Sequence, residues 1–174
     1  MRHQVLTVFA LFSLLVGQNV DQQALELDNL DRKLVQHFEK RMPEWKHERV
    51  EPIAGSGKNV LIQFWSFSNR KVKVSILLHD SVEKARAVIQ HHARYSFNSE
   101  RLTGIGDEAY SSAYASSLVA FRRGKLTVYV SAGFDADLYA ATMTLSQRLE
   151  LEKAEVKRLS RELAKQVVDG IDAP

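Results

Sequence analysis

The side chains of this chain that could do chemistry fall into a few short groups: Asp107 and Glu108 just after Gly104 and Gly106, His79 with Asp80, and His91 with His92. Two carboxylates act as general acid and base only where their surroundings hold their pKa values apart. Asp107 and Glu108 are consecutive, and consecutive strand residues point to opposite faces, so the two do not converge on one substrate. The ordinary role for Asp107 is to bond backbone amides in a turn. Gly104 and Gly106 lack the third glycine and the preceding strand of a dinucleotide fingerprint, and the two acids that follow would repel a phosphate. His91 and His92 lie about 100° apart on a helix, whereas two metal ligands from one helix need a spacing of three or four. His92 falls beside the inward stripe as a hydrogen-bonded boundary residue, and His91 falls outside it. His79 and Asp80 stand at a strand end without a third converging ligand. There is no cysteine nucleophile, and no serine sits in a Gly-x-Ser-x-Gly elbow. The expectation is no metal and no cofactor, with one enzymatic rival kept: a small hydrolase using acidic and histidine residues near Asp107 and His79.

The cationic run Arg122, Arg123, Gly124, Lys125 separates two apolar alternations, Leu118 to Arg122 and Lys125 to Ala132. Gly124 takes a positive φ at little cost, which makes the run a hairpin turn. Arg122, Arg123 and Lys125 are then expected to project from a loop tip or edge, where cations discourage pairing between sheets; anion capture by Arg122 and Arg123 is the functional alternative. Two further stretches offer contact side chains. Trp65 and Phe67 recur with Leu61 on one face of an earlier hairpin, and Tyr110 and Tyr114 belong to a Ser- and Tyr-rich segment from Tyr110 to Ser117. Trp65 has a structural alternative, because a helix packed on that face would make it core.

The elements that position these groups follow from periodicity. Leu27, Leu30, Leu34, Phe38 and Met42 recur at three- and four-residue steps, one helical stripe ended by Pro43, with Asp28, Arg32, Glu39 and Lys40 on the other side. A second helix is expected over Ser81 to Phe97, with Asp80 as N-cap and Val82, Ala85, Ile89 and Ala93 inward. A third is expected from Thr144, where Thr144 and Gln147 form a capping box, to Gly170. Its apolar side is Leu145, Leu149, Val156, Leu159, Leu163 and Val167. Between the helices the period is two: Val60 to Trp65 and Lys71 to Leu78 form a hairpin about Ser68, Asn69 and Arg70. Trp45 to Ile53 is expected as an edge strand, where Pro52 is tolerated. The order helix, hairpin, helix, hairpin, helix predicts an α+β fold, an antiparallel sheet built from two β-hairpins with amphipathic helices packed on it.

At 174 residues and 45% apolar, the chain supports one domain with a sizeable core. Lys plus Arg is 24 and Asp plus Glu 21, and the resulting formal charge of +3 is too small an imbalance to argue for nucleic acid as a partner. Arg2 and His3 precede an apolar run from Val5 to Val16, the layout of a secretory signal peptide and too short to cross a bilayer comfortably. Residues 1–18 are therefore expected to be a signal peptide or an uncleaved N-terminal anchor, residues 19–174 a single domain, and the protein exported to the periplasm or beyond. Absence of cysteine fits a bacterial envelope compartment and excludes a lipid-acceptor site.

The arrangement GIGDEAY, a Ser- and Ala-rich stretch, LVAFRRGKLTVYVSA and a carboxy-terminal amphipathic helix resembles a pattern of uncharacterised exported bacterial domains, including small lipoprotein-like ones. The resemblance implies an exported α+β domain and carries over no catalytic residue. The leading expectation is a non-enzymatic domain that binds a protein, a peptide or a cell-envelope component through Trp65, Phe67, Tyr110, Tyr114, Arg122 and Arg123. A membrane-tethered structural protein, attached through an uncleaved N-terminal segment and pairing its last helix with a partner, is the remaining alternative.

Overall fold

The computed structural model describes residues 4–50, 59–96, 99–112 and 118–174. Helix α1 (Gln4–Arg41) leads into β1 (Lys46–Arg49), β2 (Val60–Phe67) and β3 (Arg70–Leu78); α2 (Val82–Tyr95) follows, then β4 (Glu100–Leu102), β5 (Glu108–Ser111), β6 (Leu118–Arg123) and β7 (Leu126–Phe134). A 3₁₀ turn (Ala136–Tyr139) and α3 (Leu145–Asp172) complete the chain. The strands form one sheet in the order β1-β2-β3-β7-β6-β5-β4, every pairing antiparallel. Two meanders thus meet along β3 and β7, where Arg70 to Leu78 pair with Phe134 to Leu126. The α+β expectation holds, with more strands than two hairpins supply: β4 and β5 were not foreseen. Among the described residues no helix is long and apolar enough to cross a membrane.

Alternation sorts the sheet into two faces. On the first, Leu61, Gln63 and Trp65 of β2 stand beside Ile76, Val74 and Val72 of β3, then Val128, Val130 and Ala132 of β7, with Val119 and Phe121 of β6 beyond. Two helices cover this face. From α1 come Leu27, Leu34 and Phe38, and from α3 come Leu159, Leu163 and Val167, all in one buried cluster with the strand residues. Trp65 is 1% exposed and stacks on Phe38 with ring centroids 4.7 Å apart. The helices run against each other where Gly170 meets α1: a Cβ there would lie 2.8 Å from Leu34 Cδ2, so glycine permits the close approach.

A hydrogen-bonded polar trio is set into this core. Asp31 on α1 is buried and accepts from Gln63 Nε2 at 2.6 Å, while Gln63 Oε1 accepts from Trp65 Nε1 at 3.2 Å. A carboxylate placed there is tolerated only with its partners, so the trio fixes how α1 sits on β2.

The helix boundaries shift slightly from expectation. The N-cap of α2 is Ser81, whose hydroxyl accepts from Lys84 N, rather than Asp80; Asp80 instead pairs with Lys84. Helix α2 runs to Tyr95, and Phe97 lies outside the described residues. The Thr144 and Gln147 capping box is present. Leu145 and Leu149, expected in the inward stripe of α3, are 64% and 55% exposed, because the first turns of that helix run past the sheet's core cluster. The edge strand β1 is confined to Lys46–Arg49, and Pro52 lies outside the described residues.

Candidate functional site

The residues picked out in the sequence do not assemble into one site. Trp65 lies in the closed core, which is the structural alternative stated for it. Phe67, half-buried, meets Trp45 with ring centroids 6.1 Å apart beside a small cleft lined by Met42, Arg70, Leu159 and Leu163. Tyr110, on the other meander, donates its hydroxyl to Glu108 Oε1 at 2.9 Å, and burial, then the Glu108 carboxylate, pushes its pKa up. Tyr114 lies outside the described residues.

Arg122 departs from expectation. It does not project from a loop tip: its side chain is 7% exposed and donates to Asp107 Oδ2 at 2.7 Å and to the Gly124 carbonyl at 3.1 Å. Arg123 donates to Asp107 Oδ1 at 2.8 Å and reaches Asp172 near the end of α3. Asp107 also accepts from the Gly124 amide at 2.9 Å. Burial alone would raise the Asp107 pKa, but the Gly124 amide and the two guanidinium groups outweigh it and hold the carboxyl below its usual range. The acid after Gly106 therefore does bond a turn amide, but in the neighbouring β6–β7 turn rather than its own. Gly106 has φ +54, and a Cβ there would press into the Arg122 carbonyl and come within 2.9 Å of the Phe121 ring. Asp107 and the arginines are thus a clamp on a hairpin.

His79 holds the same hairpin through another backbone group, its amide donating to the Lys125 carbonyl at 3.0 Å. Its Nε2 is 3.0 Å from Thr127 Oγ1, and the Thr127 hydroxyl donates to the Ala85 carbonyl at 3.4 Å. A hydroxyl has one proton, so when Thr127 donates to Ala85 the imidazole donates to Thr127 through Nε2, and the other tautomer accepts from it. Burial lowers the His79 pKa against the opposing charge of Asp80. The polar cleft beside it, about 280 Å³, is lined by Gln22, Gln23, Glu26, Leu78, Asp80 and Lys125. Gln23 Nε2 and Lys84 both donate to Asp80, so that carboxylate is also held in structural bonds. Among the described residues no group of three His, Asp or Glu is placed to hold a metal ion.

The second face of the sheet is built differently. Helix α2 packs over β5, β6 and β7, burying Ala85 and Ile89. No described helix lies over the same face of β1, β2 and β3. There the cross-strand rows read Lys46, Ser66, Lys71, then Glu48, Phe64, Lys73, then Ile62, Ser75, Tyr129. Phe64 is 36% exposed, and Lys73 Nζ lies over its ring at 5.9 Å from the centroid. Where this open floor meets α2 there is a groove of about 390 Å³ lined by Ala87, Val88, His91, His92 and Tyr129. The Tyr129 ring meets His92 edge-on at 5.4 Å, and burial pushes its phenol up. His92 Nε2 reaches Ser96 Oγ at 3.2 Å, and burial lowers its pKa, as does neighbouring His91. His91 is exposed and rests on Tyr95. Sequence reasoning missed this place. Its only signal was the pairing of alternate apolar and lysine residues along Phe64 to Lys73, which looks the same on a solvated face.

The fold and groove are those of an α+β domain with one sheet face covered by α1 and α3 and the other half-covered by α2. No model of a known protein family, no curated protein and no solved structure matches the chain.

Proposed function

We propose that this chain is an exported, non-enzymatic binding domain of the cell envelope that holds its partner on the open half of the second sheet face. The observation that carries the reading is the unequal coverage of the two faces: Phe64 is exposed and Ile62 and the α2 groove are partly open, while Leu61, Trp65, Val72, Val74, Ile76, Val128 and Val130 on the first face are buried. Exposed apolar surface rimmed by polar groups marks interaction sites. The chemistry-bearing groups elsewhere are held in structural bonds: Asp107 grips the Arg122 to Gly124 turn, His79 bonds Thr127, and Asp80 bonds Lys84 and Gln23. Export rests on the Arg2, His3 and Val5 to Val16 layout alone.

Hydrogen exchange on the purified chain tests the surface. Anionic phospholipid vesicles, peptidoglycan fragments and acidic peptides are added in turn, and slowed exchange is expected in β2, β3 and α2 with at least one of them. Slowing confined to the His79 cleft, or hydrolytic turnover abolished by His79→Ala, would replace this reading with the hydrolase. A fusion of residues 1–25 to a reporter active only outside the cytoplasm tests export; a well-expressed but silent fusion counts against it.

A further inference from the structure

We propose that the groove between α2 and the open sheet half binds a small amphiphile, an apolar chain carrying an anionic carboxylate or phosphate head; this rests on the reading of that face as the binding surface and names its ligand class. The size is suitable, since about 390 Å³ falls within the few hundred Å³ of small-ligand sites. The walls are suitable for a chain: Ala87 and Val88 on one side and the Tyr129 ring beneath, continuing across the row into Ser75 and Ile62. Apolar walls alone would bind any hydrophobe, so the charge around them decides the head group.

Lys73 pairs with Ser131, two residues from Tyr129 on the same face of β7, so it is the diagonal cross-strand neighbour of the groove floor, roughly 7–8 Å away. Lys71 follows on the same face of β3, and Lys46 stands across Ser66 from it. The acid in these rows is Glu48, separated from Lys73 by Phe64. On the helix side, His91 lines the groove, and Arg94 lies three residues further along the same side of α2. A chain lying along Tyr129 therefore has Lys73, Lys71 and Lys46 on the sheet rim and Arg94 on the helix rim, with Glu83 four residues before Ala87 at the other end of the helix side. The Lys73 ammonium lies over the Phe64 ring on the β2 side of its strand, so pairing with a head group at the groove swings it across β3 toward Tyr129.

Calorimetric titration tests this with four probes below their micelle concentrations: dodecanoate, dodecyl phosphate, dodecyl maltoside and inorganic phosphate. The two anionic amphiphiles are expected to bind one per chain, the neutral one about tenfold more weakly and phosphate without detectable heat. Ala87→Trp fills the groove and is expected to cut binding of both anionic amphiphiles at least about tenfold. His91→Trp, at an exposed rim position, does the same job should the first variant misfold. Lys73→Gln is expected to weaken the anionic probes about three- to tenfold and leave the neutral one unchanged, and Lys153→Gln on α3 changes nothing. Equal affinity for neutral and anionic chains, or full binding by a folded groove-filling variant, overturns the proposal. If no amphiphile binds while a vesicle, glycan or peptide still slows exchange in β2 and β3, the ligand class falls and the binding face stands; if neither occurs, both fall.

Discussion

The two faces of one sheet are made from the same strands and treated in opposite ways. On β2, Trp65 and Phe64 are neighbours in sequence, yet Trp65 is 1% exposed beneath α1 and Phe64 is 36% exposed under no described helix. The difference is set by which elements pack behind each face, since the strand supplies an aromatic ring to both. A sealed face converts apolar area into stability, at roughly 25 cal/mol per Å². An open one leaves part of that area unspent and accessible to something else. The comparison teaches that aromatic residues on a strand identify a surface only once its covering layer is known.

The sharpest way to break the comparison is to truncate both rings. Trp65→Ala is expected to cost about 3–5 kcal/mol of unfolding free energy by chemical denaturation, through lost burial and the cavity left beside Phe38. A cost below about 1 kcal/mol would mean the first face is not sealed as described. Next in size is the hairpin clamp. Asp107→Ala leaves the buried Arg122 guanidinium short of its carboxylate and is expected to cost about 2–3 kcal/mol, less than a fully buried pair because Asp107 is partly exposed. Asp107→Asn, which keeps an acceptor for the Gly124 amide, is expected to cost less; a cost equal to that of alanine would show that the retained acceptor contributes nothing beyond the lost charge.

A smaller effect appears with acid. Glu155, on α3, accepts from Arg158 at 2.8 Å and from Arg70 at 3.0 Å, and these bonds, Arg158 first, lower its pKa from 4.5 to about 2. A folded pKa below the unfolded one gives stability that is present above about pH 4.5 and lost as pH falls toward 2. Asp107, also lowered, loses its contribution on the same acid side. Denaturant midpoints measured from pH 6 down to about 2 should fall, and Glu155→Gln should flatten part of the decline; an unchanged slope would mean that the Arg158 and Arg70 bonds of Glu155 add nothing to stability. The smallest effect belongs to the open face: Phe64→Ser is expected to change stability by about 1 kcal/mol or less while altering ligand binding. A loss as large as that of Trp65→Ala would mean the second face is covered after all.

Much of this fold was legible from periodicity. The stripe Leu27, Leu34, Phe38 and the stripe Val156, Leu159, Leu163, Val167 are buried as read, because a 3.6-residue repeat fixes the inward side whatever it packs on. Strands β4 and β5 escaped because runs of three and four residues next to two positive-φ glycines carry too little alternation to register. Arg122 was misplaced because a cation next to a turn glycine reads as exposed, and the acid that shields it arrives from fifteen residues earlier, across β5 and β6. Leu145 and Leu149 keep the helical period but run beyond the core they were expected to join. The groove was illegible for a related reason: His91, Ala87 and Tyr129 are brought together by how α2 crosses β7, and no local pattern encodes that crossing.

The seam between β3 and β7 has a consequence in time. Each meander closes through short connections, but the seam joins residues 70–78 to 126–134, a pairing whose loop-closure entropy falls due before any of its contacts can repay it. Docking the two halves is therefore expected to be the slow event in reaching the native state, and until it happens each half presents an edge, β3 with Val72, Val74 and Ile76 and β7 with Val128 and Val130. Lys71 and Lys73 sit on one of those edges. The lysines of the open sheet face are thus placed where charge discourages pairing of the nascent halves with other chains.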